Sequence, residues 1–377
     1  MNLSRVLINK SNLLDNILLF KGIIDDSLLA PVIKANAYGH GVEEIIPILQ
    51  EAQVSIVAVN YLQEALEIRE RCPTIRIIVV GPHGMQVDWH MAFKHKIELT
   101  LSHPELFTDW FQQKEKCLIH IKLNTGLNRQ GFTLEQIQTY GAEIVAHQKC
   151  IAGFSSHFAN VEDVLNQQYA NKQLEEFSRF KKYIVDNLKI THKEFHIAAS
   201  GAALIIPESR MDISRVGIAI YGIWPSEMTK LSYANLFTVT PELKPVMQWQ
   251  TEIAEIRHIK AGDFVGYGCA FRAQVDMKIA VVPVGYDEGY CRMSSDRKAF
   301  VLIQGSRCAV VGRICMNMMM VDISHLTKVQ LGETITLMGQ DGEESIDIHM
   351  LASWSDTIAY EALTRIHKNI PRIVIEN

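Results

Sequence analysis

The sequence predicts an α/β fold, a (β/α)8 TIM barrel followed by a mostly β C-terminal domain, and three observations carry that expectation. Short β-rich runs alternate with helix-patterned segments through the first 235 or so residues. The tally of such units, about eight in some 230 residues, is the count and length of a barrel. After Ile223-Trp224-Pro225 the texture changes to β-branched runs punctuated by Gly-Asp, Gly-Tyr-Gly and Gly-Ser pairs, the mark of a second, strand-rich domain. A doubly wound sheet is the competing arrangement, but no GxGxxG fingerprint follows any strand. The expected domains are 1–235 and 236–377.

Taken in order, the barrel strands are read at about 29–33 (LAPVI), 54–59 (VSIVAV), 75–80 (IRIIVV), 97–101 (IELTL), 118–123 (LIHIKL), 151–157 (IAGFSSH), 195–199 (FHIAA) and 213–218 (ISRVGI). Helical patterns fill 61–71, 133–148 and the charged 162–188 between them. A loop-like stretch, 226–245, leads to β runs near 247–259, 279–284, 300–304, 308–314 and 334–338, with a helical segment at about 346–363.

The first strand ends in Lys34, and the residues after it are small and turn-forming, through Gly39-His40-Gly41. An ammonium is strongly hydrated, so a lysine delivered to the end of a buried strand is out of its usual place. Desolvation lowers its pKa and frees the amine to attack a carbonyl. The plainer reading is a lysine whose stem packs while its head reaches water.

Barrel enzymes place their chemistry at the C-terminal ends of strands and bind phosphate after the seventh and eighth. On that rule Lys34 is joined on one rim by Lys122 and Arg129 after the fifth strand, His157 after the sixth, Ser200-Gly201 after the seventh, and Arg215 with Gly217 on the eighth. The small residues fall where a phosphate needs close backbone approach. Each has a duller explanation: His157 as a hydrogen-bonded core-edge histidine, Arg129 as a loop arginine, Arg215 as a partner of Asp212. Their shared rim tilts the balance toward function.

Composition excludes several classes. With 377 residues, 48% apolar and 21% charged, the chain is ordinary globular protein, and 37 basic against 42 acidic residues give a net charge of −5. No basic block offers itself to nucleic acid. The first twenty residues are interrupted by Arg5, Lys10 and Asp15, so they lack the apolar core of a signal peptide or membrane span, and the expected location is cytoplasmic. Seven cysteines without a CxxC spacing fit reduced thiols and no metal site.

The run Val-Ile-Lys-Ala-Asn-Ala-Tyr-Gly-His-Gly closely resembles the pyridoxal-phosphate lysine motif of alanine racemases, and the resemblance extends over nearly the whole chain. It implies that Lys34 carries pyridoxal 5′-phosphate and that Tyr38 touches its phosphate. KLNTGLNRQGF resembles the family's loop in which a lysine, here Lys122 and a candidate for carbamylation, orients a substrate-binding arginine, here Arg129. SSHFA maps a catalytic-site histidine to His157, IAASGA a phosphate-binding serine to Ser200, and RVGIAIYG a pyridine-facing arginine to Arg215 with phosphate-binding backbone at Gly217 and Ile218. In the second domain VGYGCAF implies a catalytic tyrosine at Tyr267, VPVGYDEGYCR matches at Tyr286, VGRICMNM implies a substrate-carboxylate contact at Met316, and YEALTRI a phosphate-binding tyrosine at Tyr360. Asn124, Ala199, Glu288 and Asn317 depart from the family pattern.

The implied activity is racemisation of L- and D-alanine by two bases, Lys34 and Tyr267, in a cytoplasmic homodimer that supplies D-alanine for peptidoglycan. A tyrosine with pKa near 10 needs roughly 4 kcal/mol of help to act near pH 7, and Arg215, through His157, is the cation the pattern offers. Two other readings remain open: a related barrel-type amino-acid decarboxylase or broader racemase, and a non-catalytic cofactor carrier. The first would release amine from amino acid; the second leaves the C-terminal 140 or so residues without a task.

Overall fold

The first strand, β1 (Arg5–Asn9), precedes eight short strands: β2 (Leu28–Pro31), β3 (Ile56–Val59), β4 (Arg76–Val79), β5 (Glu98–Leu101), β6 (Ile119–Lys122), β7 (Ile151–Ser155), β8 (Glu194–His196) and β9 (Ile213–Val216). The structure is a computed structural model describing residues 3–376, in two compact units. One unit consists of Leu13–Ala35 and Ile46–Lys244; the other takes the N-terminal residues to Asn12, Asn36–Ile45 and the chain from Pro245.

In the first unit β3 to β8 form one parallel sheet in chain order, and β2 pairs with β9 with Ala30 opposite Arg215. Backbone bonds close the ring. Ile33 N–H donates to Ala58 O (2.9 Å), and Asp212 and Arg215 donate to Phe195 O and Ala198 O (3.1 and 3.2 Å). The result is the eight-stranded α/β barrel that the alternation predicts. Its strands are buried along nearly their whole length, as a sheet covered on both faces requires, which is why they read as continuous apolar runs.

The second unit is mostly β. Its strands are β10 (Met247–Glu252), β11 (Glu255–Ile259), β12 (Phe264–Val265), β13 (Phe271–Arg272), β14 (Met277–Val282), β15 (Phe300–Ile303), β16 (Ser306–Ala309), β17 (Met319–Asp322), β18 (Thr334–Asp341), β19 (Glu344–Ile346) and β20 (Arg372–Ile375). The main sheet runs β16-β15-β18-β10-β1-β20, a second runs β11-β14-β17, and β12 and β13 form a hairpin.

These compact units follow the division 1–235 and 236–377 for most of the chain but assign the N-terminal residues to Asn12 and the segment Asn36–Ile45 to the β-rich unit. Strand β1 lies in the β-rich one, antiparallel to β10 and parallel to β20, with Val6 and Ile8 fully buried. Alternation in RVLIN specifies a half-buried strand but not its partners. Two smaller differences follow from capping. Residues 226–245, read as loop, contain helix Glu227–Leu236, started by Ser226, whose hydroxyl accepts from Thr229 N (3.0 Å). The segment 346–363 is two helices, Ile348–Trp354 and Ala359–Arg365, separated where Asp356 takes φ 54°.

Candidate active site

Past β2 the backbone reverses hand. Ala35, Asn36, Ala37 and Tyr38 have φ of 52°, 53°, 53° and 54°, a turn of left-handed helix built from L-residues, and Gly39 and Gly41 continue at 82° and 98°. Such a turn costs roughly 1–2 kcal/mol per non-glycine residue, which the short side chains Ala-Asn-Ala keep near its minimum. Hydrogen bonds hold it. Glu64 Oε1 accepts from Ala35 N at 2.7 Å, while Oε2 accepts from Asn60 N and Tyr61 N at the start of helix Leu62–Arg71. Asn36 Oδ1 accepts from Val42 N (2.9 Å), Ala37 O accepts from both the backbone N–H and the Nδ1–H of His40 (3.0 Å each), and Arg372 donates twice to Gly39 O. Lys34 is thus presented by a locally strained but heavily tied turn.

The barrel unit gathers the cations expected on its rim. Partial burial, then the positive charge of Arg129, lowers the Lys34 pKa, against an opposing pull from Glu64. Lys122 is buried, donates to Ser156 O (3.0 Å), and is pushed well below the ordinary lysine range by burial and by Arg215 and Arg129. His157 is held well below its usual value by burial and then by Lys122, Arg215, Arg129 and Lys34, which places it within the field of all four. Arg129 is exposed at the tip of its loop. Asn124 shapes that loop: its Oδ1 accepts from Gly126 N and Asn128 N (3.2 and 3.1 Å), and its Nδ2 donates to Asn128 Oδ1 (2.9 Å). An amide serves there because one side chain must both accept and donate.

Ser200 begins helix Ser200–Ile205, and its buried hydroxyl accepts from Gly217 N (2.9 Å) and Ala219 N (3.4 Å), so the seventh and eighth strand ends meet at one polar point. A Cβ on Gly201 would stand 3.0 Å from Glu162 Cγ. Arg215 does not pair with Asp212, whose carboxylate accepts from Phe195 N. It donates to Ser156 O (2.7 Å), Ile197 O (3.2 Å) and His196 Nδ1. Arg215 is thus bonded to a second histidine, His196, while His157 lies within its field.

His196 opens a polar chain that sequence reasoning missed. Its Nε2 lies 3.0 Å from His120 Nδ1, and His120 Nε2 lies 2.8 Å from Glu98 Oε2. Arg76 donates to both oxygens of Glu98 (2.8 Å each) and to Glu194 (2.8 and 2.9 Å). Glu98, His120 and Glu194 have the spacing of a metal site, but the Arg76 guanidinium already bridges the two carboxylates. The available signal was a titratable residue, Glu98, His120 or His196, inside each of the apolar runs IELTL, LIHIKL and FHIAA.

The second unit holds the remaining candidates. The rings of Tyr38 and Tyr360 lie 6.1 Å apart. Tyr267 follows Gly266 at φ 73° in the turn between β12 and β13 and is 70% exposed. Tyr286 and Met316 are adjacent: Tyr286 N donates to Cys315 O (3.2 Å) and Asp287 N to Met316 O (2.9 Å), and a Cβ on Gly285 would come within 2.2 Å of Cys315 O. Two departures meet here, since Asn317 Nδ2 donates to Glu288 Oε1 at 2.8 Å, and Glu288 Oε2 accepts from Gly285 N at the same distance.

Comparison with known proteins is uniform. The family described as alanine racemase, N-terminal domain, matches residues 8–225, and that described as alanine racemase, C-terminal domain, matches 246–374. The chain is similar to an alanine racemase of Leptospira interrogans, 34% identical over 98% of this chain and 95% of that one. It is similar also to alanine racemase 1 of Clostridium acetobutylicum, at 35% over 92% and 88%. Among solved structures it resembles the alanine racemase from Bacillus anthracis with bound L-Ala-P, at TM-score 0.90 and 28% identity over 100% of this chain and 96% of that one. The alanine racemase of Clostridium difficile 630 gives 0.88 and 29%, over 100% and 97%.

Proposed function

The chain belongs to the alanine racemase family and is an enzyme that racemises alanine, and from that premise we propose that it works with pyridoxal 5′-phosphate and two bases, Lys34 and Tyr267, as a homodimer. The observation that carries the proposal is Lys34 itself: a desolvated amine on a strained turn, sharing a rim with Lys122, Arg129, His157 and Arg215.

The residues present fit the cofactor. A lysine with a lowered pKa suits attachment to its aldehyde. Arg215, donor-only and fixed by three acceptors, would face its ring nitrogen. Ser200, the amides of Gly217 and Ile218, Tyr38 and Tyr360 would hold its phosphate. When bound, the cofactor withdraws electrons from an attached amino acid and acidifies its Cα–H.

The protein supplies the rest. Lys34, held toward its neutral form by burial and by Arg129, takes or returns the proton on one face, and the Tyr267 phenol serves the other. Arg129 and Met316 would receive the substrate carboxylate. Lys122, in its ordinary form, repels Arg129 and pays a desolvation penalty; conversion to a carbamate would reverse that sign and let it anchor Arg129.

A shared site is supported by exposure. Tyr267, Phe264 (57%) and Met316 (56%) leave large apolar groups at the surface of one chain, as a second copy would cover. Among the described residues, no helix is long and apolar enough to cross a membrane.

The test is a chiral assay across alanine, serine, lysine and arginine, with Lys34→Ala and Tyr267→Phe beside the wild type. Each variant should lose interconversion, and in D2O Tyr267→Phe should exchange the Cα–H of only one alanine enantiomer. Wild-type racemisation by either variant would overturn the two-base assignment.

A further inference from the structure

The structure assigns to Glu98 and His120 a positioning role: they fix the tautomer of His196 so that it accepts from Arg215 and holds that guanidinium at the barrel rim. The assignment deepens the proposed function, in which Arg215 is the contact to the cofactor ring.

The two ends of the chain force its direction. Arg215 has only N–H donors, so the His196 Nδ1 facing it must offer a lone pair, and the His196 proton therefore sits on Nε2. That proton is donated to His120 Nδ1 at 3.0 Å. His120 then carries its own proton on Nε2 and donates it at 2.8 Å to Glu98 Oε2, a carboxylate that only accepts. Three hydrogen bonds thus run in one sense, from a donor-only group to an acceptor-only group, with both imidazoles neutral.

The surroundings are built for this arrangement. Burial alone would raise the Glu98 carboxyl, but hydrogen bonds from His120 and Arg76 outweigh it and hold the group at about 2, so the acceptor end stays ionised. Burial and then Arg215 keep His196 well below the usual histidine range. The two rings meet edge-on, with centroids 4.9 Å apart. Strand β7 runs between β6 and β8, and it carries Gly153 at the crossing, where a Cβ would stand 3.0 Å from His120 Nδ1.

Substitution of Glu98 by leucine distinguishes this role from general support. Glu98 Oε2 accepts from both Arg76 and His120, so a glutamine oxygen in that place would keep the chain, whereas leucine removes its acceptor end. The His120 Nε2–H then has no carboxylate to donate to, and the direction of the chain is no longer set from that end. Tautomers with the proton on Nδ1, which turn a donor toward Arg215, become populated. Glu194→Leu is the control, since it alters the same Arg76 but lies outside the chain to Arg215.

The experiment reads histidine side-chain 15N spectra of the full-length protein, with and without pyridoxal 5′-phosphate, alongside kcat and KM for alanine. Wild type should show His120 and His196 neutral and protonated on Nε2. Glu98→Leu should populate the Nδ1–H tautomers of both rings and lower kcat about tenfold with KM nearly unchanged, as loss of a group that orients a contact residue does elsewhere. Glu194→Leu should lower stability while leaving tautomers and kcat as in wild type. A wild-type His196 protonated on Nδ1 would overturn the assignment even if Glu98→Leu failed to fold. So would unchanged tautomers in Glu98→Leu, or equal effects of the two substitutions. Spectra of the protein without cofactor decide the question independently of whether Lys34→Ala and Tyr267→Phe uphold the two-base reading.

Discussion

Glu288 and Asn317 are both departures from the family pattern, and at residue scale they explain each other. A carboxylate at 317 would face Glu288 and Asp287, whereas the amide donates to both, at 2.8 and 3.3 Å. Asn317→Asp should therefore cost about 1–2 kcal/mol at neutral pH. The new carboxyl would have its pKa raised in the folded state by its neighbours, so the penalty exists where it is ionised and disappears as pH falls through that pKa. Thermal melts at neutral pH and near pH 4 would check it, and a loss independent of pH would refute the pairing. Lys34→Ala belongs to the same scale. It should abolish borohydride-fixed attachment of pyridoxal phosphate, read by intact mass, and attachment that persists would move the reactive amine elsewhere, with Lys122 the buried alternative.

The element that sets the site is the left-handed turn from Ala35 to Tyr38. Its composition is legible as small and turn-forming, but its hand is not, because alanine and tyrosine favour the right-handed region by themselves. Ties from Glu64, Arg372, His40 and the Asn36 side chain select the unfavoured well. Two substitutions test this in opposite senses. Ala37 is fully buried at φ 53°, and Ala37→Val adds a β-branched side chain there, which should cost about 2 kcal/mol or more. Ala35→Gly should relieve roughly 1 kcal/mol of strain, less the extra freedom that glycine gives the unfolded chain, and so be neutral to stabilising. Urea midpoints would decide, and equal midpoints for the two variants would show the turn to be unstrained.

At the scale of the whole molecule the prediction concerns assembly. Lys34 and Tyr267 lie in different units, and two-fold pairing of chains would build two equal sites, each with one base from either copy. Lys34→Ala and Tyr267→Phe are then both inactive alone. After subunit exchange, each hybrid dimer holds one site with both bases and one with neither, so about a quarter of wild-type sites should return. Activity that stays at background once mass spectrometry confirms hybrids would place both bases of a site within one chain or remove Tyr267 from the chemistry.

The sequence by itself determined the barrel strands, because strands covered on both faces must be apolar throughout, and it determined the rim candidates, because a barrel puts chemistry at its strand ends. It also determined the strand-rich character of the C-terminal part, through β-branched runs and glycine turns. The tertiary structure decided three further matters. Strand β1 sits between β10 and β20 because strand pairing is non-local, and RVLIN carries no address for its partners. The backbone hand after Lys34 is chosen by distant hydrogen bonds. The chain from Glu98 through His120 and His196 to Arg215 forms because closing the barrel brings side chains from four strands together, and hydrogen-bond partners so remote in sequence leave no pattern that period or spacing can reveal.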